Sequence, residues 1–214
     1  GGLVAVVPDA AKLVPEPRER LAVAHRLGEL YTVFVEDADT ARVCLYTPVG
    51  EQPMAAHPLV GVVWLLARLC GGHPETVSVP GGDVASWQED GRVWIRGPLA
   101  GMPPWWHEML ASPAEVDELV PRSRPRDLVQ LWAWEDQSAG VVRARAFAPR
   151  LGVPEVEACG SASMRLATTL GRALTVRHGA GSVLSARPGP AGFADVGGFV
   201  VEDEVRFLDD LDWS

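Results

Sequence analysis

The sequence predicts an α+β fold of two pseudo-symmetric halves, in each of which strands surround one long buried helix. Residues 46–69 and 147–170 share one order of features: an aromatic-small-Pro start, a loop, a compact turn and an apolar helix. The copies lie about one hundred residues apart, whereas solenoid repeats recur every ~20–50 residues. The chain therefore divides into an N-terminal half, residues 1–97, and a C-terminal half, residues 98–214. We expect the two helix N-termini to face each other across a cleft.

Hydrophobic periodicity defines the elements of the N-terminal half. Apolar positions separated by charges predict an amphipathic helix over 16–30. A segment over 58–69 is apolar on nearly every face, so we expect a buried helix that begins at Pro58 and stops before Gly71. β-rich runs around the turn-like residues 36–40 predict a hairpin. The predicted strands of this half are 4–7, 31–35, 42–46, 76–79, 84–87 and 93–96.

The C-terminal half carries a second set of helix signals. Ser112, Pro113 and Glu115 form a capping-box pattern that predicts a helix over 112–119. The second central helix is expected over 161–174 and carries small residues on much of its surface. Residues 97–104 are expected to be loop. The predicted strands are 128–135, 141–146, 182–186, 194–201 and 205–208.

Composition limits the classes of function. The chain has 214 residues, 47% hydrophobic and 22% charged, which is typical of a globular protein. A net charge of −9 argues against binding a nucleic-acid backbone. The sequence has no apolar run long enough for a membrane span, and nothing in it resembles a signal peptide. Three cysteines without C-x-x-C spacing indicate a reduced, cytoplasmic protein with no structural metal.

The second compact turn carries the sharper candidate chemistry. Cys159 stands just before the helix N-terminus, where free backbone N–H groups favour a thiolate. The amides of Gly160 and Ser161 could hold a substrate carboxylate in the same place. Glu155 lies close by in sequence as a candidate general base. The plainer interpretation makes Cys159 a small buried residue and Glu155 a solvated loop residue.

The first turn offers His57, which could cap its helix or shuttle a proton. A lone histidine is more often a packed residue, but its position opposite the second turn favours a catalytic role. Four tryptophans could line an aromatic pocket: Trp105, Trp106, Trp132 and Trp134. The plainer interpretation, which we favour, places Trp132 and Trp134 on one face of a strand and other tryptophans in the core, although the adjacent Trp105 and Trp106 cannot both point into one strand face. The sequence contains no P-loop, no GxGxxG after a strand, no HExxH and no GxSxG.

Three segments resemble the PhzF family. Residues 46–61, YTPVGEQPMAAHPLVG, resemble the family signature F-T-P-x-x-E-L-P-F-x-G-H-P-T-x-G. Residues 1–10 are similar to G-N-P-x-A-V-V-x-D-A, and residues 155–163 are similar to E-D-P-A-T-G-S-A-A and to E-T-x-A-C-G-[ST]-G of diaminopimelate epimerase. The resemblance implies the diaminopimelate epimerase-like fold, with an active site between two halves. It also implies cofactor-free isomerisation by proton transfer, often in a homodimer. The sequence is short for the family, and we expect the family's first strand to be missing from it.

The chain departs from the family at its acidic positions. The acid/base Glu of the motif N-L-S-E-T-x-F falls on Tyr31, and Glu29 would need a local shift to replace it. The Asp of the second motif falls on Val156. His57 and Ser161 match the family residues. The scaffold is therefore retained while the standard proton-transfer set is incomplete.

Three hypotheses follow. In the first, the chain is an isomerase or related cyclase acting in biosynthesis on a small carboxylate-bearing metabolite, for which the aromatic-rich surface would suit an aromatic or hydrophobic compound. Glu155 or Glu29 would be its base. His57 and Cys159 would be donors or relays, and Tyr31 would donate a hydrogen bond to the substrate. In the second, the chain is an inactive PhzF-like binding or partner protein, which a filled cleft would favour. In the third, Cys159 serves a thiol-dependent epimerase with a partner that is not a cysteine.

Overall fold

The computed structural model describes residues 2–120, 127–149, 153–205 and 207–208. The strands in these ranges are β1 Ala5–Val7, β2 Thr32–Asp37, β3 Arg42–Thr47, β4 Gly50–Gln52, β5 Thr76–Val79, β6 Gly82–Glu89, β7 Arg92–Pro98, β8 Trp106–Met109, β9 Val129–Asp136, β10 Val141–Ala148, β11 Val153–Val156, β12 Leu174–His178, β13 Ser182–Pro188 and β14 Phe193–Gly198. The helices are α1 Ala10–Leu13, α2 Pro17–Leu27, α3 Ala56–Leu69, α4 Pro113–Asp117 and α5 Gly160–Leu170.

The strand pairing repeats between the halves. The N-terminal half runs in the order β1-β2-β3-β5-β6-β7, and the C-terminal half repeats it as β8-β9-β10-β12-β13-β14. The parallel pairs β1–β2 and β3–β5 correspond to β8–β9 and β10–β12, while β4 and β11 each pair with the third strand of their half. β7 pairs antiparallel with β14 and joins the halves into one sheet. The predicted two-halved α+β fold is confirmed, and the division at residue 97 into domains stays a prediction.

The two central helices differ slightly from their predicted bounds. α3 begins two residues earlier than predicted, so His57 lies in its first turn, and its Leu59, Val62 and Val63 are fully buried, as its all-round apolar character predicts. α5 ends at Leu170 rather than at 174, because Gly171 caps it in the left-handed conformation with φ 65°. No helix in the described part of the chain is long and apolar enough to cross a membrane.

Short elements account for most of the remaining differences. The sequence reading missed β4, β8, β11 and β12, which have three to five residues each. The predicted loop over 97–104 instead begins with the end of β7 and a short 3₁₀ turn at Leu99–Gly101. The predicted strand over 205–208 does not form at residues 205, 207 and 208, and residue 206 lies outside the described residues. The capping pattern is present, since Ser112 Oγ accepts the Glu115 N–H at 3.3 Å, although α4 stops at Asp117.

Candidate active site

The N-termini of α3 and α5 meet at the junction of the two halves, as the repeat predicts. Gly160, the first residue of α5, makes this approach possible because it has no side chain. A Cβ at Gly160 would lie 3.1 Å from Ala56 Cβ and 3.3 Å from the backbone nitrogen of His57. The two first turns are therefore in direct contact, and their side chains project into a shared space.

That shared space is a cavity of about 10 Å³, roughly the size of one water molecule. Its walls come from both helix N-termini, the residue before β2, the end of β11 and the connection between β7 and β8. The lining residues are Tyr31, Ala56, His57, Pro103, Trp105, Val156, Ala158, Cys159, Gly160 and Ser161. The structure thus brings together five of the seven residues that the sequence singled out. Within the described ranges, no carboxylate lines this cavity.

Glu155 does not lie with the others. It pairs with Arg145, whose Nε and Nη2 donate to its carboxylate at 2.8 and 2.6 Å. Neighbouring residues on a strand point to opposite faces, so Glu155 faces away because Val156 faces the cavity. The sequence predicts Glu155 beside the other candidate groups, but the structure places its side chain outside the cavity. Glu29 lies in the connection before β2 and does not line the cavity either, so a base role for either carboxylate stays a prediction.

His57 is held by one hydrogen bond. Its Nε2 lies 3.1 Å from the carbonyl oxygen of Gly2, and since a carbonyl only accepts, Nε2 carries the hydrogen. Nδ1 is then an acceptor, and among the described residues this buried atom has no partner. Burial lowers the pKa of His57 below its usual value of about 6.5, so the imidazole is neutral at pH 7. The ring of Tyr31 stands edge-on at 6.2 Å from the ring of His57.

Cys159 and Tyr31 are both protonated at neutral pH. Burial raises the pKa of the Cys159 thiol to about 12, although hydrogen bonds from Ala162 and Ser161 act in the opposite direction. Desolvation therefore outweighs the local amides and opposes the thiolate that the helix N-terminus predicts. Burial also raises the pKa of Tyr31, with a smaller contribution from Cys159. The cavity thus holds two weak acids and one neutral base.

Trp105 lines the cavity, although the sequence offered it only as one of several possible pocket tryptophans and not among the candidate site residues. Its indole N–H donates to Ser161 Oγ at 2.8 Å, and its side chain packs with Val156, Cys159 and Ala162. Trp105 is 7% exposed while Trp106 is 54% exposed, so the adjacent pair splits between cavity and solvent. The adjacency was the available signal, but it did not show which residue points inward.

Trp132 and Trp134 belong to the core rather than to the cavity. Their rings meet edge-to-face with centroids 5.2 Å apart on β9. This agrees with the interpretation that they pack along one strand face.

A second, larger cavity of about 1630 Å³ lies on the other side of His57. It shares His57, Ala158 and Gly160 with the small cavity. The outer face of α3 forms much of its apolar wall, including Trp64 and Leu65. The charged residues that line it within the described ranges are all acidic: Glu19, Glu202, Asp203 and Glu204.

This architecture, with a small cavity between two mirrored helix N-termini, places the chain in the diaminopimelate epimerase-like fold class. The chain is 29% identical over 215 aligned residues to trans-2,3-dihydro-3-hydroxyanthranilate isomerase of Pseudomonas aeruginosa, covering 84% of this chain and 77% of that protein. No protein-family model matches the chain.

Solved structures show the same fold. A PhzF-family phenazine biosynthesis protein of Enterococcus faecalis superposes with a TM-score of 0.72 at 16% identity, covering 92% of this chain and 87% of that one. A probable proline racemase of Agrobacterium radiobacter superposes with a TM-score of 0.55 at 14% identity, covering 92% and 84%. These similarities confirm the resemblance to the PhzF family that the motifs indicate.

Proposed function

We propose that this chain is a cofactor-independent, PhzF-like isomerase that moves a proton on a small carboxylate-bearing metabolite in a biosynthetic pathway. The observation that carries the proposal is the convergence of Tyr31, His57, Cys159 and Ser161 on one small cavity between two helix N-termini. The 29% identity to an isomerase over most of the chain supports the same reaction class.

The protonation states suggest which group begins the reaction. A C–H bond of the substrate breaks and its proton passes to Nδ1 of neutral His57, which has no other partner among the described residues. The electron pair shifts within the substrate, and a second carbon takes a proton from the Cys159 thiol. Return of the proton from the imidazolium to the thiolate restores both groups, so the cycle consumes no co-reactant.

The remaining cavity groups position the substrate. The Gly160 N–H already donates to the carbonyl oxygen of Ala158 at 3.1 Å. The Ser161 amide in the first turn of α5 is suited to a carboxylate, because backbone N–H groups at a helix N-terminus attract negative charge. The protonated Tyr31 hydroxyl can donate a hydrogen bond to an oxygen on which charge develops. In this arrangement Glu155 contributes through its ion pair with Arg145 and takes no part in the proton transfer.

Solvent deuterium exchange tests the proposal. A panel of small cyclic and aromatic carboxylates is incubated with the protein in D₂O, and deuterium incorporation is measured by mass spectrometry. We expect exchange with the wild type, loss of exchange in His57→Gln, which can still donate to the Gly2 carbonyl, and retention in Glu155→Gln. Loss in Glu155→Gln with retention in His57→Gln would move the base to the carboxylate and contradict the assignment.

A second candidate is a PhzF-like binding protein without catalytic activity. The small volume of the cavity and the lack of a carboxylate on its described walls favour it. Calorimetric binding of one panel compound, with no deuterium exchange in any, would support this candidate over the isomerase.

We further propose that the chain works as a homodimer in the cytoplasm, with a small-molecule substrate and no nucleic-acid or membrane partner. The free thiols of Cys44, Cys70 and Cys159 are in keeping with a reducing compartment. Light scattering coupled to size exclusion tests the dimer, and a monomer at micromolar concentration would refute it.

A further inference from the structure

The turn that carries Cys159 is short and has no capping side chain of its own. Glu157, Ala158 and Cys159 connect β11 to α5. Cys159 is the N-cap residue of α5, and its side chain makes no capping hydrogen bond, so the helix lacks the usual means of fixing its first turn. Contacts from outside α5 must then help to hold the Cys159 thiol in the cavity.

Glu157 supplies such a contact, because its carboxylate binds the turn between β12 and β13, residues 178–182. Both carboxylate oxygens accept the N–H of Ala180, Oε1 at 2.8 Å and Oε2 at 2.9 Å, and Oε1 also accepts the Ser182 hydroxyl at 3.2 Å. The carbonyl oxygen of Glu157 lies 3.1 Å from Nδ1 of His178, which must donate because a carbonyl only accepts. The side chain and the backbone of Glu157 therefore both bind the 178–182 turn.

The backbone of the 178–182 turn is shaped to receive this carboxylate. Gly179 has φ 51°, in the left-handed region that favours glycine. A Cβ at Gly179 would overlap Oε2 of Glu157 and would lie 2.7 Å from the Glu157 carbonyl oxygen. The close approach of Glu157 therefore requires a residue without a side chain at position 179.

The 178–182 turn is itself firmly held. Arg143 of β10 donates to the carbonyl oxygen of Gly179 at 2.6 Å and to that of Arg177 at 3.0 Å. His178 and Ser182, at the two ends of the turn, pair with each other in the ladder of β12 and β13. All of these contacts join residues of the C-terminal half, so they do not depend on where the N-terminal half lies.

Glu157 lies next to the cavity, with its carboxylate directed at the 178–182 turn instead. Its chain neighbours Val156 and Ala158 both line the cavity, and so does Cys159. A shift of Glu157 would therefore move these walls with it. The PhzF-family motif has Pro at the position of Glu157, and Pro carries no carboxylate, so this anchor is a feature of the present chain.

We propose that Glu157 is a positioning residue: by binding the 178–182 turn, it holds the Cys159 thiol and the Ser161 amide in place at the cavity. The proposal rests on the proposed function for the reaction that these two groups serve. Glu157 acts through the hydrogen bonds that its oxygens accept, and it neither gives nor takes a proton. The placement of the thiol can also be measured without turnover.

Steady-state kinetics of deuterium exchange tests the role in the reaction, with a panel compound that the wild type exchanges. In Glu157→Ala we expect kcat to fall about thirtyfold, since a misplacement of about 1 Å can cost ~10²-fold. Glu157→Gln keeps an oxygen that can accept the Ala180 N–H, so its kcat should stay within about threefold of the wild type. An acid or base at this position would lose about 10²-fold or more in both variants. An equal loss in Glu157→Gln and Glu157→Ala would overturn the proposal, as would an unchanged kcat in Glu157→Ala.

Alkylation of Cys159 tests the placement of the thiol without a substrate. The intact protein is treated with N-ethylmaleimide, and peptide mass spectrometry follows labelling at each cysteine, with exposed Cys70 as the internal reference. We expect Glu157→Ala to speed the labelling of Cys159 about tenfold or more, because a buried thiol reacts only when its surroundings open. Glu157→Gln should speed it by about threefold or less, since it retains part of the anchor.

Asp136→Ala is the matched control. Its carboxylate likewise accepts a serine hydroxyl, from Ser138 at 2.6 Å, and a backbone N–H, from Ala139 at 3.0 Å, but in the turn between β9 and β10. This variant should leave both kcat and the labelling of Cys159 unchanged. Labelling of Cys159 in Glu157→Ala no faster than in Asp136→Ala would overturn the anchor. Faster labelling in Glu157→Ala alone, with no deuterium exchange by the wild type in any panel compound, would keep the anchor and reject the isomerase.

Discussion

The contact between the two helix N-termini at Gly160 sets up a quantitative prediction. In Gly160→Ala the new methyl group would lie 3.1 Å from Ala56 Cβ and 3.3 Å from the His57 nitrogen. Neither neighbour is the end of a flexible side chain, so the two helices must separate by a few tenths of an ångström. Overpacking of this kind costs about 1–3 kcal/mol. The gain from replacing a helical glycine offsets about 0.5–1 kcal/mol of that cost.

The net expectation for Gly160→Ala is a loss of about 1–2 kcal/mol in the free energy of unfolding, with an unchanged denaturant m-value. At this chain length it corresponds to a lower Tm by roughly 2–4 °C for each kcal/mol. Urea unfolding followed by circular dichroism measures it. Gly72→Ala is the control, because a Cβ there meets nothing within 4 Å, and it should change stability by less than about 0.5 kcal/mol. A Gly160→Ala variant as stable as the wild type would refute the close helix contact.

Three further predictions concern charge, pH and the thiol. Arg145→Ala should lower the free energy of unfolding by about 2–4 kcal/mol, because it leaves partly buried Glu155 without its partner. Arg177→Ala is the control, because its pair with Glu135 is more exposed, and it should cost less than about 0.5 kcal/mol in the same urea assay. Burial lowers the pKa of His178 to about 3 in the folded protein. As the pH drops below about 6.5, His178 therefore gains a proton in the unfolded state but not in the folded state, and the free energy of unfolding should fall. In His178→Gln the free energy of unfolding should decrease less between pH 7 and 4 than in the wild type. An equal decrease in both proteins would contradict the prediction. Cys159→Ser should slow deuterium exchange by about 10²-fold or more, while full activity would remove the thiol from the mechanism.

The sequence predicts the elements with long, regular patterns and misses the short ones. The apolar run of α3 and the hairpin of β2 and β3 are confirmed because each carries a full period of its own signal. β8 and β11 have four residues each, and neither is a β-rich run, because Glu108 interrupts the first and Pro154 and Glu155 interrupt the second. Their partners β9 and β10 define them as strands. Tertiary pairing of this kind leaves no trace in the local sequence.

Some features of the candidate site can likewise be predicted from the sequence, and others depend on the assembled fold. The mirrored turns correctly predict that the first residues of α3 and α5 meet, because the repeat itself encodes that symmetry. The orientation of Glu155 depends on the phase of β11, which the sequence does not reveal. The high pKa of Cys159 depends on how completely Trp105 and its neighbours exclude water, and this too is a property of the assembled fold.

The pairing of β7 with β14 has a consequence for how the chain folds during synthesis. β7 is complete at Pro98, but its partner strand runs over Phe193–Gly198. One edge of the N-terminal half therefore stays unpaired until residues 193–198 have been made. Open strand edges invite pairing with other chains. Contacts between such distant segments also form slowly, because a long loop must close first. The nascent N-terminal half is therefore the stage at which this protein is most exposed to aggregation.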